Sequence, residues 1–365
     1  MPVPKSVQTS VTIAGRALAL VVILFSVITY VISLALGPIL FFSTSDGLAA
    51  AERRIHSFLI DVFMIIVFPI PTNFSLGAFF VIIWVIFVAC VVLAWFDRET
   101  FFGSVRGALS KSISLAKTNF LFVMPLVASA LVYATIIITQ FQETQGVQTG
   151  SINFPTTNPY VILTELSFAA IQEEFAFRIT SIGIPIAILL LILYRSDPRI
   201  SGPKNKMKLV FLAMFSPERA KTKLGYRSLG ANGFPRGIGP VEWVLILLTS
   251  TVFGIAHFLS GGGWEVGKVS TAFLAGLVFG IMFVAYGAYA SILLHWFFNY
   301  YFEVLYRADS VYGGVFHGLS NFAELTNLLA GQIILVVFLL YTAYKIGCYL
   351  AVRASGLSGK SNPTL

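Results

Sequence analysis

Charge is scarce in this chain. Only 11% of its 365 residues are Asp, Glu, Lys or Arg, against roughly a quarter in soluble domains, which excludes an ordinary water-surrounded globule. Hydrophobic residues make up 57%, which excludes disorder. Cysteine is nearly missing: Cys90 and Cys348 both fall inside apolar stretches, so there is neither a disulfide framework nor a thiol metal site. Histidines number four, and none opens the H-E-x-x-H helix of many zinc proteases. What the chain has instead is apolar length, with mean hydropathy +0.86 and 34 Phe. At about 20 residues per crossing plus loops, one membrane bundle of seven to nine spans accounts for the length.

The net charge of +8 has an address. Ten basic residues lie between Arg195 and Arg236, with only Asp197 and Glu218 against them, so this segment carries as much net charge as the whole chain. No aromatic-basic motif accompanies it, which argues against nucleic acid. Between two hydrophobic spans such a run reads as a cytoplasmic loop beside anionic lipid headgroups.

Uncharged runs give the spans. Residues 17–45, 74–96 and 120–141 are three, the first with a cytoplasmic N-terminus. Residues 57–70 are short, carry Asp61 and run into Pro69 and Pro71, and read as an interfacial or re-entrant piece. Residues 160–194 would make a helix of about 52 Å, too long for a ~30 Å hydrocarbon core, so the stretch is expected to tilt, protrude or break, the break falling near Gly183 and Pro185; Glu165 at the outer end reads as solvated. After the basic loop come 241–258, then 269–302 folded as a helical hairpin about Gly287, then 326–344. The expected fold is an all-α polytopic membrane bundle of about eight transmembrane helices, in the cell membrane, with both termini cytoplasmic. Its regions are 1–159, a catalytic core 160–307 with the basic loop 195–240, and a last span and tail, 308–365.

Ionisable groups inside these spans cost at least about 2.5–3.5 kcal/mol each, so they mark function by default. The densest cluster is Glu173-Glu174-x-x-x-Arg178. Glu174 and Arg178 stand four apart, the spacing of an ion pair on one helix face. That pair by itself reads as a pin between helices; the adjacent Glu173 is what it leaves unexplained. His257 closes one span, four residues after Phe253, and His295 lies in another, four residues before Asn299. Glu303 and Arg307 continue that spacing as a helix-end ion pair, while His56 and His317 sit in polar flanks. Helical rise places Glu173, His257, His295 and Asn299 between about 10 and 24 Å from the basic side. A carboxylate and an imidazole beside one water form a general-base arrangement for hydrolysis. A second imidazole and a carboxamide suit a developing oxyanion. The same donors could instead hold Zn²⁺, through Glu173, His257 and His295.

These three motifs, in this order and on separate spans, resemble those of the CAAX protease and bacteriocin-processing family, in particular its type II CAAX prenyl endopeptidase branch, over about residues 160–305. The resemblance implies an intramembrane endopeptidase acting on a membrane-associated protein or a lipidated peptide, including a prenylated CAAX-type C-terminus. In it Glu173 and His257 activate water, His295 and Asn299 meet the oxyanion, and Glu174, Arg178 and Phe253 support them, with a glutamate-type or metal-dependent mechanism. Ile179 departs from the Gly that commonly follows the family's Arg. Two other readings of the same residues are a proton- or cation-coupled transporter and an inactive membrane scaffold; transporters usually show inverted repeats, and this sequence has none.

Overall fold

The computed structural model describes residues 5–110, 118–154, 156–260 and 262–358. The middle of the 97–119 connection, and Lys360 of the expected tail, lie outside the described residues. The chain forms an all-α polytopic membrane bundle, with a two-stranded sheet among the described residues. Among the described residues, seven helical stretches are long and apolar enough to cross a membrane. Such segments have to be helical, because in lipid each backbone N–H and C=O needs a partner within its own segment.

The first stretch is α1 (Lys5–Ser43), followed by the short α2 (Ser45–Ala51). A hairpin of β1 (Arg54–Val62) and β2 (Ile66–Ser75) then leads to α3 (Leu76–Phe96), α4 (Phe101–Ser110) and α5 (Phe120–Thr144). The next crossing is one 35-residue rod, Pro159–Leu193. It comprises α6 (Pro159–Glu174), a π-helical segment (Phe175–Gly183) and α7 (Ile184–Leu193). The basic segment folds into a 3₁₀ turn (Pro198–Ile200), α8 (Pro203–Phe215), α9 (Pro217–Leu224) and α10 (Leu229–Asn232). Then come α11 (Pro240–Leu259) and α12 (Lys268–Tyr286). The following rod is α13 (Ala288–Trp296), a second π-helical segment (Phe297–Tyr301) and α14 (Phe302–Tyr312). The last helix is α15 (Val315–Ser358).

The piece at residues 57–70, read as interfacial or re-entrant, forms most of the β-hairpin. β-branched and aromatic residues favour a strand there, and Pro69 and Pro71 deny a helix its donors. Because the prolines stand two apart, the N–H groups they lack would point to the same strand edge. The long rod does not break near Gly183 and Pro185. Its irregularity starts ten residues before Pro185, directly after the two glutamates, and the π geometry ends where Pro185 enters α7. Thr180 and Ser181 donate their hydroxyls to the Ala176 carbonyl, at 2.8 and 2.7 Å, supplying donors where the regular ladder is disturbed.

The hairpin about Gly287 is present. Gly287 has φ +110°, and a Cβ there would lie 2.5 Å from the Phe215 carbonyl oxygen, so glycine alone fits this turn against α8. The second arm of the hairpin expected over 269–302 runs on to Tyr312, and its π segment divides it into pieces each shorter than a span. Its aromatic face packs on α1: Tyr30 meets Trp296, Phe297 and Tyr301 edge-on, and Thr29 and Tyr301 share a 2.7 Å hydrogen bond. Glu165 is exposed, and Glu303 pairs with Arg307, both as expected.

The basic segment is bolted to the bundle. Lys221 is fully buried, with Nζ 2.9 Å from Glu242 Oε1 and 3.5 Å from Glu218 Oε2. Glu242 also caps α11 by accepting the Gly239 N–H at 2.5 Å. Nearby, buried Asp97 at the end of α3 accepts from Arg219 and from the Tyr289 hydroxyl. On the surface of this segment, hydrogen bonds from Arg199 hold the Asp197 carboxyl below the usual carboxylate range.

Candidate active site

Glu173 and Glu174 occupy the last turn of α6, where the rod passes into π geometry. Wide turns of this kind recur at functional sites because they re-aim side chains while keeping the backbone bonded. Adjacent residues leave a helix about 100° apart, and the two carboxylates have different surroundings. Glu174 is fully buried. Its Oε1 receives Nη1 of Arg178 at 2.9 Å and Nδ1 of His295 at 2.9 Å. Glu173 keeps 28% of its side chain exposed, yet its Oε2 is shielded, has no hydrogen-bond partner among the described residues, and ends 3.6 Å from His295 Nε2.

Arg178 is the keystone of this arrangement. It is fully buried, and besides Glu174 it donates Nη2 to the Gly276 carbonyl of α12 at 3.2 Å. Its guanidinium carbon stands over the rings of Phe253, Phe279 and Phe177 at 4.6, 5.4 and 5.6 Å. Paired, hydrogen-bonded and ringed by π faces, the cation is compensated in a place where an isolated charge would be prohibitive.

The imidazoles are fixed by their Nδ1 atoms. His257 Nδ1 lies 2.8 Å from the Phe253 carbonyl. A carbonyl only accepts, so Nδ1 carries the proton and neutral His257 keeps its lone pair on Nε2. His295, buried against Phe279, gives its Nδ1 proton to Glu174 in the same way. Its Nε2 and the Glu173 oxygen would otherwise face each other as two lone pairs, so a shared proton or a bridging water belongs between them. Asn299, within the second π segment, spends one Nδ2 hydrogen on the Leu166 carbonyl at 3.1 Å. The other has no hydrogen-bond partner among the described residues.

These groups border a cavity of about 450 Å³, lined by Phe253, His257, Lys268, Phe279, His295 and Asn299 with one face of α5. The structure thus gathers Glu173, Glu174, Arg178, His295 and Phe253 into one contact network. It sets His257 and Asn299 on the wall of the adjoining cavity, each bonded to backbone and neither bonded to Glu173. Glu173 itself is not on that wall and meets it through His295. The sequence reading missed Lys268 and Thr149, which also line the cavity; the signal for Lys268 was a lone cation immediately before a long uncharged run. It missed the hairpin as well. Phe58 packs on Phe168, Asp61 accepts from Gln172 at 3.0 Å, Phe63 N–H meets Thr180 Oγ1 at 3.0 Å, and Met64 packs against the cluster of Phe177 and Phe253.

Among the described residues no three His, Cys, Asp or Glu side chains are grouped to hold an ion. Glu174 is committed to Arg178 and His295 Nδ1, and Glu173 approaches only one imidazole nitrogen at 3.6 Å.

Comparison with known proteins places this site in context. Residues 155–301 match the family model described as type II CAAX prenyl endopeptidase Rce1-like. The match begins just before α6 and ends at Tyr301, so it spans all three motifs. That family is a family of membrane proteases, and this chain is a multi-pass membrane protein with a segment similar to it. Neither the curated proteins nor the solved structures gave a match.

Proposed function

We propose that the chain is an intramembrane endopeptidase that hydrolyses a peptide bond of a membrane-associated substrate with protein-activated water. The observation that carries this reading is the shielded, unpartnered Oε2 of Glu173, 3.6 Å from His295 Nε2, beside a cavity that also receives His257 and Asn299. A structural ion pair has no use for that second carboxylate; a base that takes a proton from water does.

Glu173, with the bare Nε2 of His257, draws a proton from water as its oxygen bonds to the scissile carbonyl carbon. The proton Glu173 takes from water passes to His295 Nε2, 3.6 Å away, and that new N–H and the remaining Asn299 N–H face the oxygen that gains charge. The C–N bond then breaks as the proton passes to the leaving amine. Glu174 and Arg178 touch no substrate; they hold the His295 ring in register. We route no step through a metal, because the donors as arranged do not make a ligand set. We also read the basic segment and both termini as cytoplasmic, from the distribution of Lys and Arg.

The test uses purified full-length protein in detergent with lipidated and unlipidated peptides. Cleavage by the parent, lost in Glu173→Gln with unchanged thermal unfolding, is the expected result. Full activity of Glu173→Gln would overturn the reading.

A further inference from the structure

The cavity opens at one end of the bundle, and the helix directions say which. α5 and α11 finish there, at Thr144 and Leu259, while α6 and α12 start there, at Pro159 and Lys268. Gly150 bridges to Trp264, tying the 145–158 connection to the 260–267 turn above the cavity. His257 stands only two residues from the end of α11, about 3 Å of helical rise. The opposite end holds the starts of α11 and α13 and the whole basic segment.

The charges of the two ends differ sharply. The ten basic residues of 195–236 are joined at their end by Arg16, Arg98, Arg106 and Lys345, giving fourteen. Around the cavity end the basic residues among the described ones are four, Arg53, Arg54, Lys268 and Arg307, and acids such as Asp46, Glu52, Glu143, Glu265 and Asp309 outnumber them. Lys and Arg bias in connections of this length sets membrane orientation. The basic end is therefore the cytoplasmic one, and the cavity mouth lies on the other side.

At that mouth one cation stands over an aromatic ring without a carboxylate partner among the described residues. Lys268 is half-buried in the cavity lining, its Nζ 3.9 Å above the Trp264 ring, and it forms no ion pair among the described residues. Thr149, also in the lining, has a shielded hydroxyl with no hydrogen-bond partner. A fixed ammonium and a spare hydroxyl donor in one cavity call for an anionic acceptor. The surrounding acids select against a stray anion and leave this point as the place where one is welcome.

We propose that the cavity takes peptide from the non-cytoplasmic face and that Lys268 and Thr149 receive a carboxylate on it. The substrate is then an acidic or carboxylate-ended segment presented outside the cytoplasm, whereas a lipidated cytoplasmic tail would meet the basic end. The product depends on the peptidase reading above, but neither the face nor the anion does.

Both are tested on the full chain with Cys90 and Cys348 replaced by Ser. Single cysteines are placed at Glu143 and Glu265 near the mouth, and at Lys204 and Lys223 at the basic end, all exposed positions. With a membrane-impermeant maleimide on intact cells, E143C and E265C should label, and K204C and K223C only after permeabilisation. The reverse pattern overturns the assigned face. For the anion, a fluorescent apolar hexapeptide with a free carboxylate should bind the purified protein about tenfold more tightly than its C-terminal amide. Lys268→Met and Thr149→Val should reduce that preference, and Lys268→Arg should keep it. Equal binding of both peptides by the parent, or a preference that survives Lys268→Met, overturns the carboxylate site. Binding needs no cleavage, so a failure of the peptidase reading leaves both arms readable.

Discussion

His295 Nδ1 and Arg178 Nη1 meet the same oxygen of Glu174, each at 2.9 Å. One carboxylate oxygen thus orients the imidazole and neutralises the guanidinium beneath it. Removing that carboxylate leaves a fully buried cation with only a carbonyl and three aromatic faces, a situation that costs about 3–5 kcal/mol. Glu174→Ala should therefore unfold well below the parent on heating in detergent, with Glu174→Gln between them. Equal melting of all three would show that the ion pair does not hold the bundle here.

Glu173 should behave in the opposite way. It has no ion pair with Arg178 and remains 28% exposed, so Glu173→Gln should melt with the parent. Its loss should appear in kcat, about 10²–10⁴-fold for a general base, measured on a cleaved peptide at saturating concentration. A loss confined to KM would place Glu173 in binding and not in proton transfer.

Asn299 combines the two behaviours. Its bond to the Leu166 carbonyl contributes about 1 kcal/mol, and its free N–H, as an oxyanion donor, about 10²–10³ in kcat. Asn299→Ala should thus show a small drop in melting temperature together with a large drop in kcat. A melting change alone would reduce Asn299 to a strut between α6 and the second π segment.

Activity should survive chelation. Glu174 Oε1 is taken by Arg178 and His295 Nδ1 and no three candidate donors converge among the described residues, so o-phenanthroline or EDTA at millimolar concentration should leave peptide cleavage within twofold. Inactivation by chelator, reversed by added zinc, would mean that Glu173, His257 and His295 regroup around an ion.

The fold was largely legible because lipid leaves the backbone one economical choice, and uncharged runs of 20 or more residues declare it. The i,i+4 pairs Glu174–Arg178 and Glu303–Arg307 were legible for the same reason: helical spacing fixes them before any tertiary contact. The hairpin was not legible. Its residues are as apolar as those of a span, and what makes them a strand is packing of Phe58, Asp61 and Phe63 on α6 and the π segment, contacts of long sequence separation. The position of the π geometry was hidden likewise. Gly183 and Pro185 announce a disturbance, but where it begins depends on how Arg178 reaches Gly276 of α12. Lys268 was missed because one-dimensional order cannot show that α12 starts at a cavity wall.

Lys221 offers a test that separates scaffold from site. It is fully buried between Glu218 and Glu242 and also donates to the Gly237 carbonyl at 3.1 Å. Lys221→Met keeps most of the volume but leaves two buried carboxylates without their cation, again a loss of about 3–5 kcal/mol. The damage should be local. Glu242 lies fifteen residues before His257 on α11, about 23 Å along the helix, so protein that stays folded should retain peptide cleavage within a fewfold of the parent. Limited proteolysis should instead show new nicks between residues 217 and 239, where the basic segment loses its anchor. If Lys221→Met abolished cleavage while leaving that segment protected, the segment would have to be coupled to the cavity, and its role as a bolted cytoplasmic scaffold would fall.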